Sequence, residues 1–198
     1  MKRFVAFGVA LLLSAAAVPA RAADVAPLDL SNLPAVSAPS TNQTFGSMYF
    51  PRLKSKFWGQ PLIAGVANRQ LDAGIGWFKH TALPGAIGNF AVAGHRATHS
   101  EPLAYVDRIR KGDKLFIRTE VAWYVYVMTK DKIVPPSAMW VLDPVPGQPW
   151  DTAPTKRVIT IVTCEPRYGH SKRWIWWGEL KAAYPPDATL AQVQAAAA

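Results

Sequence analysis

Cysteine is almost missing from this chain of 198 residues: Cys164 stands alone. No disulfide can close within one molecule, and no cluster of thiolates can hold a metal. Acidic residues are also scarce, 13 against 22 lysines and arginines, so the formal charge is +9. That balance suits a polyanionic envelope or an anionic membrane surface. Nucleic acid is not an expected partner, because helix-turn-helix, zinc-finger and aromatic RNA-binding patterns are all lacking. No internal repeat is visible. The longest uncharged apolar run, Phe4 to Val18, lies at the very start, between Met1-Lys2-Arg3 and Pro19. With Ala20-Arg21-Ala22 as a small-x-small site, residues 1–22 read as a signal peptide or, if retained, a signal anchor. Either way the expected location is extracytoplasmic, at the cell surface, secreted or N-terminally membrane-anchored.

What is present points to short strands. Half of the residues are apolar and eight are tryptophan, enough to build a sizeable core. Seventeen prolines and thirteen glycines supply frequent turns. Residues 23–43, rich in Ala, Pro, Ser, Thr and Asn, read as a flexible linker. The folded unit is expected over 44–186, and 187–198 reads as an Ala-rich tail that contributes little. Within the unit, Asp113 to Glu120 alternates as a half-buried strand does, and Ala122 to Thr129 is dense in Trp, Tyr and Val. Gly88 to His95, Lys156 to Cys164 and Arg173 to Leu180 are further strands. Lys130-Asp131 and Lys111-Gly112-Asp113 read as turns. Leu103, Val106 and Ile109 suggest one short helix. The pattern is all-β, a closed barrel or a sandwich.

Three chemically active residues sit at strand ends: Cys164, His95 and Arg173. In an exported protein an unpaired thiol is an intermolecular disulfide, an inert buried group or a reactive one. A thiol is mostly protonated at neutral pH, and a neighbouring imidazolium or guanidinium favours the thiolate. Together the three can supply a nucleophile, a proton donor for a leaving amine and a cation for an oxyanion. The backbone amide of Glu165 would be a second oxyanion donor, while its carboxylate would oppose the thiolate if turned inward. Asn89, Ala91 and Ala93 share the face that leads to His95, and small residues there leave room for a groove. Asn89, Ala93 and Thr163 are therefore the candidate substrate contacts. His170, in the Tyr168-Gly169-His170-Ser171 loop, is a competing base placed on a less rigid element. A metal is not expected: His95 and His99 are four apart, but no His-Glu-x-x-His motif is present, and Arg96 between them is hostile to a cation. No cofactor is expected.

Thr81-Ala82-Leu83-Pro84-Gly85 through Gly88-Asn89-Phe90-Ala91-Val92-Ala93-Gly94-His95-Arg96 resembles the segment around the catalytic histidine of sortases. Thr160-Ile161-Val162-Thr163-Cys164 resembles their Thr-Leu-x-Thr-Cys motif, and Arg173 stands where their arginine does. Met48-Tyr49-Phe50-Pro51-Arg52-Leu53 and Leu71-Asp72-Ala73-Gly74-Ile75-Gly76 also fit, so the resemblance runs from about Met48 to about Ala182. The Pro-Gly-x-x-Gly-Asn form is most like class E, the actinobacterial housekeeping type. The resemblance implies a closed eight-stranded β-barrel with one or two short helices. It implies cleavage of a Leu-(Ala or Pro)-x-Thr-Gly sorting signal between Thr and Gly, through a Cys thioester. The partners implied are secreted proteins bearing that signal and a peptidoglycan-precursor amine as acceptor, with the enzyme membrane-proximal if its leader is kept. Two alternatives are a secreted thiol hydrolase of the same fold and a non-catalytic wall-binding barrel.

Overall fold

The computed structural model describes residues 25–198, and residues 1–22, read above as a signal peptide or anchor, lie outside them. Eight strands are joined in chain order with two short helices: β1 (Thr44–Tyr49), β2 (Trp58–Ala64), α1 (Asn68–Ala73), β3 (Ile75–Trp77), β4 (Gly88–Ala93), β5 (Lys114–Arg118), β6 (Trp123–Val134), β7 (Arg157–Glu165), β8 (Lys172–Tyr184) and α2 (Leu190–Ala196). They close into a barrel in the order β1-β2-β3-β4-β7-β8-β6-β5. The β2–β3 and β4–β7 pairs are parallel and the others antiparallel.

Alternation decides which side chains enter the barrel. Phe90 and Val92 of β4, Ile159 and Ile161 of β7, and Trp176 of β8 point inward and join one core with Met48, Leu62, Leu115, Tyr124 and Tyr126. The opposite face of the same strands is covered too. All of β4 is buried, because the segment after β6 folds back over the outside of β4, β7 and β8. A 3-10 turn there, Met139–Leu142, lays Trp140 on Trp177 at 6.0 Å between ring centroids. Ala93, Val134, Val141, Val162, Ile175 and Trp177 form this second, outer apolar cluster. The Pro84-Gly85 turn locks the other end of β4. Gly85, at φ +79°, donates its N–H to the buried Tyr126 hydroxyl (2.9 Å), and a Cβ there would collide with Tyr124.

The structure departs from the sequence reading at four places. Lys130-Asp131 is not a turn, since β6 runs straight through it with a bulge between Met128 and Lys130. Thr129 is the extra residue, and the charged side chains that suggested a turn are partnered on the two faces of the strand. Trp174 Nε1 donates to Asp131 (2.9 Å), and Lys130 sits over Trp177. The helix expected around Leu103 is a 3-10 turn, Val106–Arg108. Spacing of three is the 3-10 period, and Leu103, Val106 and Ile109 are all buried. The segment read as a linker lies against the barrel. Leu28 N–H donates to Ala183 O (2.8 Å), Asn42 N–H to Ala64 O (2.9 Å), and Val36 is buried. Its apolar residues are few but well separated, a pattern that composition averages away. The tail forms α2, opened by a reciprocal Thr189/Gln192 capping box. Val193 is fully buried against Phe116, Trp123, Val125 and Tyr184, and Trp123 Nε1 donates to Ala188 O (2.8 Å).

Candidate active site

The site begins with register. In the parallel β4–β7 pair, Ala93 is level with Val162. Two more hydrogen bonds extend that alignment past the end of β4: Gly94 N–H to Val162 O (3.1 Å) and the Thr163 hydroxyl to Gly94 O (2.8 Å). In the antiparallel β7–β8 pair, Val162 faces Ile175 and Cys164 faces Arg173. Period-two alternation then puts Ala93 and His95, Val162 and Cys164, and Ile175 and Arg173 on one surface. Ala93, Val162 and Ile175 floor an open groove of about 400 Å³, with His95, Cys164 and Arg173 around one end. Val66, Leu71 and Phe78 line one flank of the groove, and Val134, Pro135, Ala138, Val141 and Leu142 the other. A second hollow, of about 350 Å³, also reaches His95 and Cys164. It is bounded by Thr98, Arg167, Tyr168 and His170.

The three residues expected to form the site are thus brought together, and the thiol is half-buried. The Arg173 guanidinium donates to the carbonyls of His170 and Lys172, both at 2.9 Å. These bonds hold its head at the β7–β8 connection. His170 lies in the second hollow and not in the groove, which separates it from the position of a first base. Ala93 is a true lining residue. Asn89 is not: it is 1% exposed, and its amide works beneath the surface. Its NH2 donates to Val141 O (2.9 Å) and Asp143 O (3.0 Å), and its oxygen accepts from the Thr160 hydroxyl (2.6 Å). Asn89 therefore clamps the groove wall to the barrel. Thr163 does line the groove, but its side chain is buried on the opposite face from Cys164 and its hydroxyl braces Gly94 O. Parity along the strand correctly gave the shared face, but a side chain on that face can still be covered by another segment.

Glu165 resolves a conflict seen in the sequence. Its carboxylate pairs with Arg96, which also donates to Cys164 O (3.3 Å) and lies against the Trp174 ring. The acid beside the thiol is therefore neutralised by a buried cation and turned away from the groove.

Sequence reasoning gave no role to Asp72. This α1 residue accepts from His95 Nε2 (2.9 Å), and its same oxygen lies 3.2 Å from His99 Nδ1. The two imidazoles stack with centroids 5.1 Å apart. Asp72 fixes the ring orientation of His95 and holds one of its nitrogens, leaving the other for chemistry. Twenty-three residues separate the two, so spacing carried no signal. Among the described residues, Asp72, His95 and His99 are the group whose ligand atoms could converge on a metal, all lying within 4.8 Å.

The sequence model of the sortase domain matches residues 48–181. This chain belongs to the sortase family. Among curated relatives, sortase SrtE1 of Streptomyces coelicolor is 35% identical over 161 residues, which is 75% of this chain and 45% of that protein. The chain thus spans under half the length of the curated relatives it matches. The solved sortase SrtA of Actinomyces oris superposes with a TM-score of 0.73 at 30% identity, covering 79% of this chain and 93% of that one. Sortase E1 of S. coelicolor, solved with a tripeptide in its active site, superposes with a TM-score of 0.66 at 34% identity over 74% of this chain and 96% of its own. The eight-stranded closed barrel is the sortase barrel, and the chain resembles class E sortases at 34–35% identity. Both the family and the class agree with what the motifs around His95 and Cys164 implied.

Proposed function

We propose that this sortase is a transpeptidase that cleaves a Leu-(Ala or Pro)-x-Thr-Gly sorting signal between Thr and Gly and joins the Thr carbonyl to a cell-wall amine. One observation carries this reading: the thiol, the imidazole and the guanidinium stand together at the end of an apolar groove. The groove suits the apolar residues of an extended peptide, with its scissile bond delivered to Cys164. Ala at the second position of the signal is the favoured form.

The Cys164 thiolate attacks the Thr carbonyl carbon, forming the S–C bond and an oxyanion. The Glu165 N–H and Arg173 stabilise that charge, Arg173 swinging from the loop carbonyls onto it. His95, protonated at the nitrogen not held by Asp72, gives its proton to the glycine nitrogen as the C–N bond breaks. The glycine fragment leaves and a thioester remains on Cys164. An incoming amine attacks the thioester carbonyl, His95 takes the amine's proton, and the C–S bond breaks to return the thiolate. The second hollow offers a path to the thioester distinct from the peptide groove, as two successive substrates require. The acceptor is a peptidoglycan-precursor amine, and the donors are secreted proteins carrying the signal. The reaction takes place outside the cytoplasm, and tethering to the membrane through residues 1–22 would raise the effective concentration of both substrates.

A fluorogenic Leu-Ala-x-Thr-Gly peptide, with and without an amine acceptor, tests the reading beside Cys164→Ala. The expected result is cleavage by wild type, accelerated or redirected to ligation by the amine, and none by the variant. Cleavage indifferent to the acceptor would make the protein a hydrolase. No cleavage under any condition would leave a binding module.

A further inference from the structure

We propose that Asp72, His95 and His99 form a binding site for a divalent transition ion such as Zn2+, and that occupancy switches the enzyme off by taking His95. Two imidazoles and one carboxylate are a donor set that favours such ions. Ligands at about 2.0–2.2 Å from a tetrahedral zinc lie about 3.4 Å from one another. The Asp72 oxygen is 2.9 Å from His95 Nε2 and 3.2 Å from His99 Nδ1. Insertion of an ion there needs shifts of well under the size of a side chain. Both rings already aim a nitrogen at one carboxylate oxygen, with their planes only 25° apart.

The backbone supports the same arrangement from a separate direction. His99 and Glu101 both have left-handed φ, at 55° and 47°. This conformation costs energy in residues with a side chain and concentrates at functional loops. It folds the segment after His95 back, so that His99 stacks on His95 over α1. Access is open, since the Asp72 and His99 side chains are 37% and 50% exposed. Arg96 was the sequence argument against a cation, and the fold removes it. That guanidinium is buried against Trp174 and neutralised by Glu165. Lys56 and Arg167, two cations that reach this loop from elsewhere in the chain, are paired with Glu101.

The binding stands apart from the transpeptidase reading, whereas the inhibition rests on it. With Nε2 committed to the ion, His95 cannot become an imidazolium, and the Nδ1–H that remains is that of a neutral imidazole, far too weak an acid to expel glycine efficiently.

The test titrates the full chain carrying Cys164→Ala with Zn2+ by calorimetry and with Co2+ by absorption, so that the thiol cannot be a ligand. One ion per chain is expected, with ligand-field bands from nitrogen and oxygen donors. Asp72→Asn and His99→Ala, both on exposed side chains, should each weaken binding about tenfold or more. With Cys164 present, Zn2+ should stop peptide cleavage and EDTA restore it. His99→Ala, compared with its own EDTA-treated rate, should resist the same Zn2+ concentration. Absence of saturable binding, or binding indifferent to both substitutions, overturns the site. Tight binding at this site with undiminished cleavage overturns the inhibition and shows that a doubly protonated His95 is not the acid.

Discussion

Replacing Asn89 probes whether the wall of the groove is clamped from beneath. Three hydrogen bonds meet at its amide, and their directions fix its orientation: two carbonyls require the NH2, and the Thr160 hydroxyl donates to the oxygen. In Asn89→Ala, Val141 O and the Thr160 hydroxyl lose partners in a region closed to water, while Asp143 O is near enough to the surface to rehydrate. At about 1–3 kcal/mol for each of the two buried groups left unpaired, the loss should come to about 2–6 kcal/mol. Asn89→Asp should cost at least as much, because it turns an acceptor oxygen toward two carbonyl oxygens. Thr160→Val removes the hydroxyl donor, so the double variant with Asn89→Ala should be less destabilised than the sum of the singles. Urea unfolding measures the stability, and peptide kinetics measure the site. Release of the Met139–Leu142 wall should raise KM for the sorting peptide more than it lowers kcat, since none of the three reacting side chains moves. An Asn89→Ala variant with wild-type urea midpoint and wild-type KM would refute the clamp. So would additive single effects at Asn89 and Thr160.

Other outcomes follow from the same geometry. Ala93→Leu should fill the groove floor beside Cys164 and abolish peptide cleavage, while a small thiol reagent still alkylates Cys164 at the wild-type rate; retained cleavage would place the peptide elsewhere. Deleting residues 187–198 should lower stability by about 2–4 kcal/mol, the value of uncovering Val193 and the edge of Trp123, read as a lower urea midpoint. An unchanged midpoint would mean that α2 is ornamental. Glu179 is held down to a pKa of about 2 by hydrogen bonds from Lys156 and Lys181. A depressed carboxylate stabilises the fold above its unfolded pKa near 4.5 and loses that effect as pH falls toward 2. Both lysines are well exposed, so Glu179→Gln should cost about 0.5–1 kcal/mol at pH 7 and almost nothing near pH 2. Equal destabilisation at both pH values would show that the cost is not electrostatic.

Five strands, β4 to β8, were legible in strand-like composition and in proline and glycine turns, while the choice of a closed eight-stranded barrel over a sandwich came from the resemblance of the motifs to sortases. Cys164, His95 and Arg173 were legible because each ends a strand, and strand register brings such ends together. The bulge at Thr129 was hidden because the pattern of charges at Lys130-Asp131-Lys132 is that of a loop, and only tryptophans contributed by β8 and the covering segment show why it is not. The role of Asn89 was misjudged for a related reason. Alternation gives the face of a strand but not whether residues 135–156 cover it. Asp72 was invisible because its partnership with His95 depends on α1 packing against β2 and β3, a contact with no local signature. The segment before Thr44 and the tail after Pro186 were underrated because their composition is polar or Ala-rich on average. Single residues such as Val36 and Val193 nevertheless anchor them.

The central claim is that Cys164 becomes acylated by the Thr carbonyl and that an amine releases it. Intact-mass spectrometry of the protein, incubated with a Leu-Ala-x-Thr-Gly peptide and quenched in acid, tests it most directly. The expected result is an adduct equal to the peptide truncated after Thr, located on Cys164 and removed on adding an amine as the ligated peptide appears. An unmodified protein mass during active cleavage, or cleavage that survives Cys164→Ala, would contradict it.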